Sequence, residues 1–213
     1  EIYNNLFLKG GLKLREGFHR RVWNNIAVNN SLHPHVWYEN SGDEVTRNIW
    51  MGAYRPAIMK AAKWGTEIDR NLFTTTDADR KKFAANGCDA NSLVGDAIFV
   101  DPAKGDYRVK HGSPALQLGF VNFPMDQFGV TLPRLKALAR TPEFPTLEIP
   151  ANGKEVRQPH KHYWLQAQVK NLEGEEFSAF GVSKESGGIA LVEVPSDSPA
   201  SQYGFQRGDL IQS

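Results

Sequence analysis

Within one short stretch, His33-Pro34-His35-Val36-Trp37-Tyr38-Glu39, the chain gathers side chains able to hold a sugar and to move a proton. A strand alternates its faces, so with Val36 and Tyr38 inward, His35, Trp37 and Glu39 share the outer face. Lys60 stands 23 residues beyond Trp37, with Trp64 and the Tyr54-Arg55 loop nearby in sequence. Such a face suits a polysaccharide. Trp37, Tyr54 and Trp64 offer rings to stack on sugars, and Arg55 offers a charge to fix hydroxyls or uronate carboxylates. Two reactions are open. Glycoside hydrolysis needs two carboxylates for acid and base work; Glu39 with Asp43 or Glu44 could supply them, although the latter two read as a turn. Elimination needs a base for the proton α to a uronate, and Lys60, Lys63 or Arg55 are candidates, with His35 as a further proton carrier. A solvated face with no chemistry is also compatible.

Metal chemistry has less support. His33 and His35 lie two apart on one strand face, and His160 and His162 repeat the spacing, but no third ligand recurs at a diagnostic distance. Asp96, Asp101 and Asp106 follow Gly or precede Pro, which marks turns rather than a calcium loop. The single cysteine, Cys88, has no partner for an internal disulfide and reads as a small, half-buried apolar residue. No metal or cofactor is expected.

These side chains must be positioned by a repeat. Asn5-Leu6-Phe7, Asn25-Ile26-Ala27, Asn48-Ile49-Trp50 and Asn71-Leu72-Phe73 each follow a polar residue and recur at intervals of 20, 23 and 23 residues. A fixed period in this range signals a stacked repeat. Segments before the corners, such as Arg21-Val22-Trp23 and Glu44-Val45-Thr46, alternate polar with apolar or β-branched residues and predict short strands. Loops with Gly, Asn, Ser or Pro follow. One turn cannot bury its own apolar face, so stacking must do so, and an Asn amide at one recurring corner can bond backbone and the Asn above and below. The alternative is an ordinary antiparallel β-domain with Asn in its turns.

After Thr74 the pattern changes. A short helix is predicted over residues 77–87, with Thr76 as N-cap and Asn86-Gly87 as its stop. The run GDAIFVDPAKGDYRVKHGSPALQLGF then predicts two short strands and a helical turn with Ser113 as cap and Pro114 first. This run resembles the closing segment of right-handed parallel β-helix proteins of the pectate-lyase-like superfamily, with Ala97 where that phrase usually has Pro. The resemblance covers residues 1–130. It implies a right-handed parallel β-helix whose relatives bind glycan along a sheet, and hence a secreted or periplasmic polysaccharide hydrolase or lyase.

Residues 131–160 read as a proline-rich linker, with a two-turn helix possible around Leu135 and Leu138. Residues 161–213, with FSAFGVSKESGGIALVEVPSDSPASQYGFQRGDLIQS, resemble an incomplete PDZ domain, a small α+β module. That resemblance implies that Phe177, Ser178, Ala179 and Phe180 form a loop holding a partner's C-terminal carboxylate. Val182 would then lie on the strand to which the peptide adds. Ser178 and Ala179 stand where the family usually has glycine, and a groove-forming helix would follow Ser213.

The whole is therefore expected to be mainly β, a fragment in which a β-helix coil begins before Glu1. Charge is balanced, 25 basic against 24 acidic residues, which gives no pull toward nucleic acid. No apolar run is long enough to span a bilayer. The expected partners are a polysaccharide or oligosaccharide and a C-terminal peptide. The alternative to an enzyme is a non-catalytic scaffold binding glycan and peptide, located outside the cell or in the periplasm in either case.

Overall fold

The computed structural model describes residues 1–140, 142–148 and 162–212. The chain forms two compact units, Glu1–Arg55 with Lys60–Pro150, and Pro56–Met59 with Ala151–Ser213. The first is a parallel β-solenoid and the second a distinct α+β domain.

Each solenoid coil is built from two or three very short strands. The first coil holds β1 (Ile2–Tyr3), β2 (Leu6–Phe7) and β3 (Leu12–Arg15), and the second β4 (Arg21–Trp23), β5 (Ile26–Ala27) and β6 (Leu32–His35). Then come β7 (Glu44–Thr46) with β8 (Ile49–Trp50), β9 (Glu67–Asp69) with β10 (Leu72–Phe73), and β11 (Leu93–Val94). Equivalent strands stack in parallel into three sheets, β1-β4-β7-β9, β2-β5-β8-β10-β11 and β3-β6. In the first sheet Ile2, Val22, Val45 and Ile68 stand in register, and Cys88 bridges to Ile68. In the second, Leu6, Ile26, Ile49, Leu72 and Leu93 do. These apolar columns are the core, and fully burying each such side chain is worth about 1.5–3 kcal/mol.

The corner between the first two sheets explains why Asn recurs. The residue before it has a left-handed backbone in four successive coils, at Asn4, Asn24, Arg47 and Arg70, with φ of 55, 57, 57 and 54°. This bend turns the chain from one sheet to the next. The Asn that follows then bonds upward and downward at once. Asn48 Oδ1 accepts from the Asn25 backbone N–H at 3.0 Å and from Asn25 Nδ2 at 2.9 Å, and Asn71 Oδ1 repeats this toward Asn48 at 3.0 Å. Asn48 Nδ2 also donates to the carbonyls of Thr46 and Val22. A side chain with both an acceptor and two donors suits this position, and with it the buried backbone groups at the bend find partners.

Below the ladder the chain closes. α1 (Asp77–Lys81) starts with a capping box between Thr76 and Asp79, and after a 3-10 turn Gly87 ends the segment in a left-handed conformation. β12 (Phe99–Asp101) and β13 (Asp106–Val109) form an antiparallel hairpin, and α2 (Pro114–Gln117) is capped by Ser113. Phe99, Tyr107, Val109, Ala115, Phe120 and Phe123 pack with Ile26, Ile49 and Leu72 in one core.

The segment expected to be a linker divides. α3 (Pro133–Lys136) forms. Residues 142–148 lie along the solenoid instead of leaving it. Asn29 donates to the Thr146 carbonyl at 2.7 Å and accepts from the Glu148 N–H at 2.9 Å, while Phe144 and Leu147 pack on the core. The rest of that segment, with Pro150, Gly153, Pro159 and His160, lies outside the described residues.

The second unit holds an antiparallel sheet of β14 (His162–Trp164), β15 (Ala167–Asn171), β16 (Ile189–Glu193) and β17 (Leu210–Ile211), in that order. α4 (Glu176–Phe180) and α5 (Pro199–Gln202) complete it, with Ser198 capping α5. Ala167, Val169, Leu191 and Ala200 form its core.

Candidate functional site

The stretch expected to carry the chemistry runs as a strand only as far as His35. Val36 adopts φ 53°, a left-handed turn that interrupts the two-residue alternation. Beyond it the alternation is lost, with Tyr38 and Glu39 both exposed. His35 and Trp37, expected on the outer face, are buried at 0 and 1% exposure, and Tyr38, expected inward, is 42% exposed. Trp37 Nε1 donates to the Leu14 carbonyl at 2.8 Å, and the Arg20 guanidinium lies 5.0 Å from its ring centre.

Trp64 and Tyr54 are brought together with Trp37, but inside the coil. Trp37 meets Trp64, Trp64 stacks on Phe83, Phe83 on Tyr54, and Tyr54 meets Phe73 and Trp50. With Tyr54 and Trp64 at 2 and 3% exposure, these rings are packing elements with no face left for a sugar. Twelve Phe and five Trp residues give no means of telling an interior stack from an exterior one.

The ionisable candidates do not converge. Glu39 is exposed and accepts a hydrogen bond from the Ala62 N–H at 2.6 Å. Asp43 is fully buried in a bidentate pair with Arg20, whose Nε lies 3.0 Å and Nη2 2.6 Å from its oxygens. Glu44 pairs with Arg21 at 3.1 Å across the coils. Arg55, Lys60 and Lys63 are exposed, and among the described residues none shares a side-chain hydrogen bond with Glu39. His33 Nε2 lies 2.7 Å from Asn30 Oδ1, and His162 is exposed on β14. Among the described residues no three His, Cys, Asp or Glu side chains gather as a metal would require. Cys88 is buried, and burial together with Asp89 and Asp69 pushes its thiol well up, away from the reactive thiolate.

The expected carboxylate loop is a helix. Phe177, Ser178, Ala179 and Phe180 all fall in α4, which Gly181 ends at φ 73°. The Ala179 N–H goes to the Glu175 carbonyl and the Val182 N–H to the Phe177 carbonyl. These donors are thus used internally, and Val182 is in no strand.

A cleft that sequence reasoning did not find lies on the outside of the first coils. Tyr3 and Trp23, register partners on β1 and β4, stack with centres 4.6 Å apart and planes 6° from parallel. Tyr3 is 48% exposed. With Asn4, Asn24, Arg47, Gly119, Val121, Asn122 and Phe123 they line a volume of about 250 Å³. Asn24 shapes it: Oδ1 accepts from the Val121 N–H at 2.7 Å, and Nδ2 donates to the Val121 carbonyl and to Asn4 Oδ1. Asn122 likewise clasps both backbone groups of Val109. The volume is below the roughly 300–1,000 Å³ of pockets enclosing a drug-sized ligand, so it admits one ring and leaves a longer ligand in solvent. The only signal in the sequence was the aromatic pair at the 20-residue spacing of the first two corners. Comparison of the chain with protein families, curated proteins and solved structures returned no match.

Proposed function

We propose that the protein is a non-catalytic glycan-binding scaffold, secreted or periplasmic, in which the solenoid presents the Tyr3–Trp23 cleft and the α+β domain serves as an interaction module. The observation that carries this reading is the parallel-stacked aromatic pair opening onto a cleft lined by Asn side chains. Stacked rings favour the C–H faces of a sugar, and the Asn4 amide N–H groups, which Asn24 and Asn122 leave unused, can pair with its hydroxyls. Among the described residues no carboxylate lines this cleft, so the paired acid and base of glycoside hydrolysis are not supplied by them there. The closing hairpin β12–β13 and the Asn corners support the further reading of a right-handed, pectate-lyase-like coil. The order of β16, α5 and β17 supports a PDZ-like module that takes a peptide.

The test is incubation of the chain with a panel of polysaccharides while both retention and product are followed. The reading expects a retained glycan, no new reducing ends and no unsaturated product. Release of either product, lost in Glu39→Gln or Lys60→Ala, would restore the enzyme reading.

A further inference from the structure

Arg47 differs from the other residues lining the cleft. It holds the left-handed corner (φ 57°) that Asn4 and Asn24 hold in earlier coils. Asn tolerates this conformation through its short polar side chain, whereas an Arg there is strained. Arg70, one coil on, has the same backbone but closes an ion pair with Glu67 at 2.8 Å. Among the described residues the Arg47 guanidinium has no ion pair and no hydrogen bond, and its Nε is buried without an acceptor. Gly119 lets it approach the closing segment: a Cβ there would stand 3.3 Å from Arg47 Cδ. Among the described residues no other charged side chain lines the cleft.

We propose that Arg47 is an anion receptor, selecting a glycan whose ring on the Tyr3–Trp23 pair bears a carboxylate or sulfate ester. This rests on the glycan reading of the same cleft. The planar guanidinium matches either oxyanion with two parallel N–H donors, and a partly desolvated wall strengthens the pairing. Asn4 Oδ1 is occupied by Asn24, which leaves the Asn4 amide N–H groups for a sugar hydroxyl.

The full chain is titrated calorimetrically with three probes matched in length: a neutral galactan oligomer, an oligogalacturonate and a sulfated galactan oligomer. At least one acidic probe is expected to bind ten-fold or more tighter than the neutral one, with the preference shrinking as salt rises. The arm that shows it identifies the anion. Arg47→Gln is expected to abolish the preference, so that acidic and neutral probes bind alike. Arg47→Asn, which suits the left-handed corner, guards against misfolding and should behave the same. Neutral binding without acid preference, or a preference that survives both variants, overturns the proposal alone. No binding of any probe overturns it together with the glycan reading.

Discussion

Asn48 makes more bonds than any apolar neighbour could replace. It is 1% exposed, and its amide joins two flanking Asn residues and two backbone carbonyls. Asn48→Ala leaves several buried groups without partners, each costing about 1–3 kcal/mol. We expect a loss of about 3 kcal/mol or more in urea unfolding, with Asn5→Ala, on the exposed rung, losing far less. The ladder ends differently from how it runs. Ser92 Oγ accepts from the Asn71 N–H at 2.8 Å and meets Asp89 Oδ1 at 2.7 Å, which Tyr54 also approaches at 3.2 Å. Asp89 is 1% exposed and its other oxygen has no partner. Burial raises its carboxyl to about 6, against the pull of hydrogen bonds from Ser92, Asn71 and Tyr54. The folded state thus holds a proton that the unfolded chain, with an Asp near 3.9, releases. The contribution of Asp89 to stability is then fully present below about pH 4 and is lost as pH rises through about 6, roughly 3 kcal/mol for two pKa units. The difference between wild type and Asp89→Asn should show that slope, and a flat difference would remove the claim. The four Asn corners were legible because each is followed by two apolar residues. The fifth rung was missed because Ser92 replaces Asn, although Asn91-Ser92-Leu93-Val94 keeps the polar-polar-apolar-apolar order.

At the scale of elements, glycines show where coils touch. Gly65 has φ 62°, and a Cβ there would collide with the Asp43 carbonyl oxygen. Gly112 has φ 90° with open space around it. Gly112→Ala should therefore cost only backbone strain, about 1–2 kcal/mol, while Gly65→Ala should cost clearly more. Equal losses in thermal unfolding would mean that the coils yield at that contact. Strand positions and the capped α1 could be read from periodicity and cap chemistry. The burial of Trp37 could not, because nothing in Val36 announces a left-handed turn, which β-branched residues avoid. α4 was misplaced for a related reason. Without glycine, the run around Ser178 and Ala179 has ordinary helical preferences, and Gly181 supplies the stop.

For the molecule as a whole, the stacking that makes the solenoid stable also decides where a ligand can bind. Inward rings fill the coil and outward register partners make platforms. Tyr3 and Trp23 stack this way on β1 and β4, and Phe18 and Tyr38 stack at 5.1 Å in the loops. Repeat architecture was legible from the sequence, yet the site was not, since period two alone cannot say which face of a coil is outer once a corner intervenes. The placement of function at the Tyr3–Trp23 cleft is tested most directly by calorimetric titration of wild type and Trp23→Ala with a retained glycan. A loss of ten-fold or more in affinity, with the variant still cooperatively folded at the assay temperature and with Tyr38→Ala close to wild type, is the expected result. Undiminished binding by a folded Trp23→Ala would contradict it.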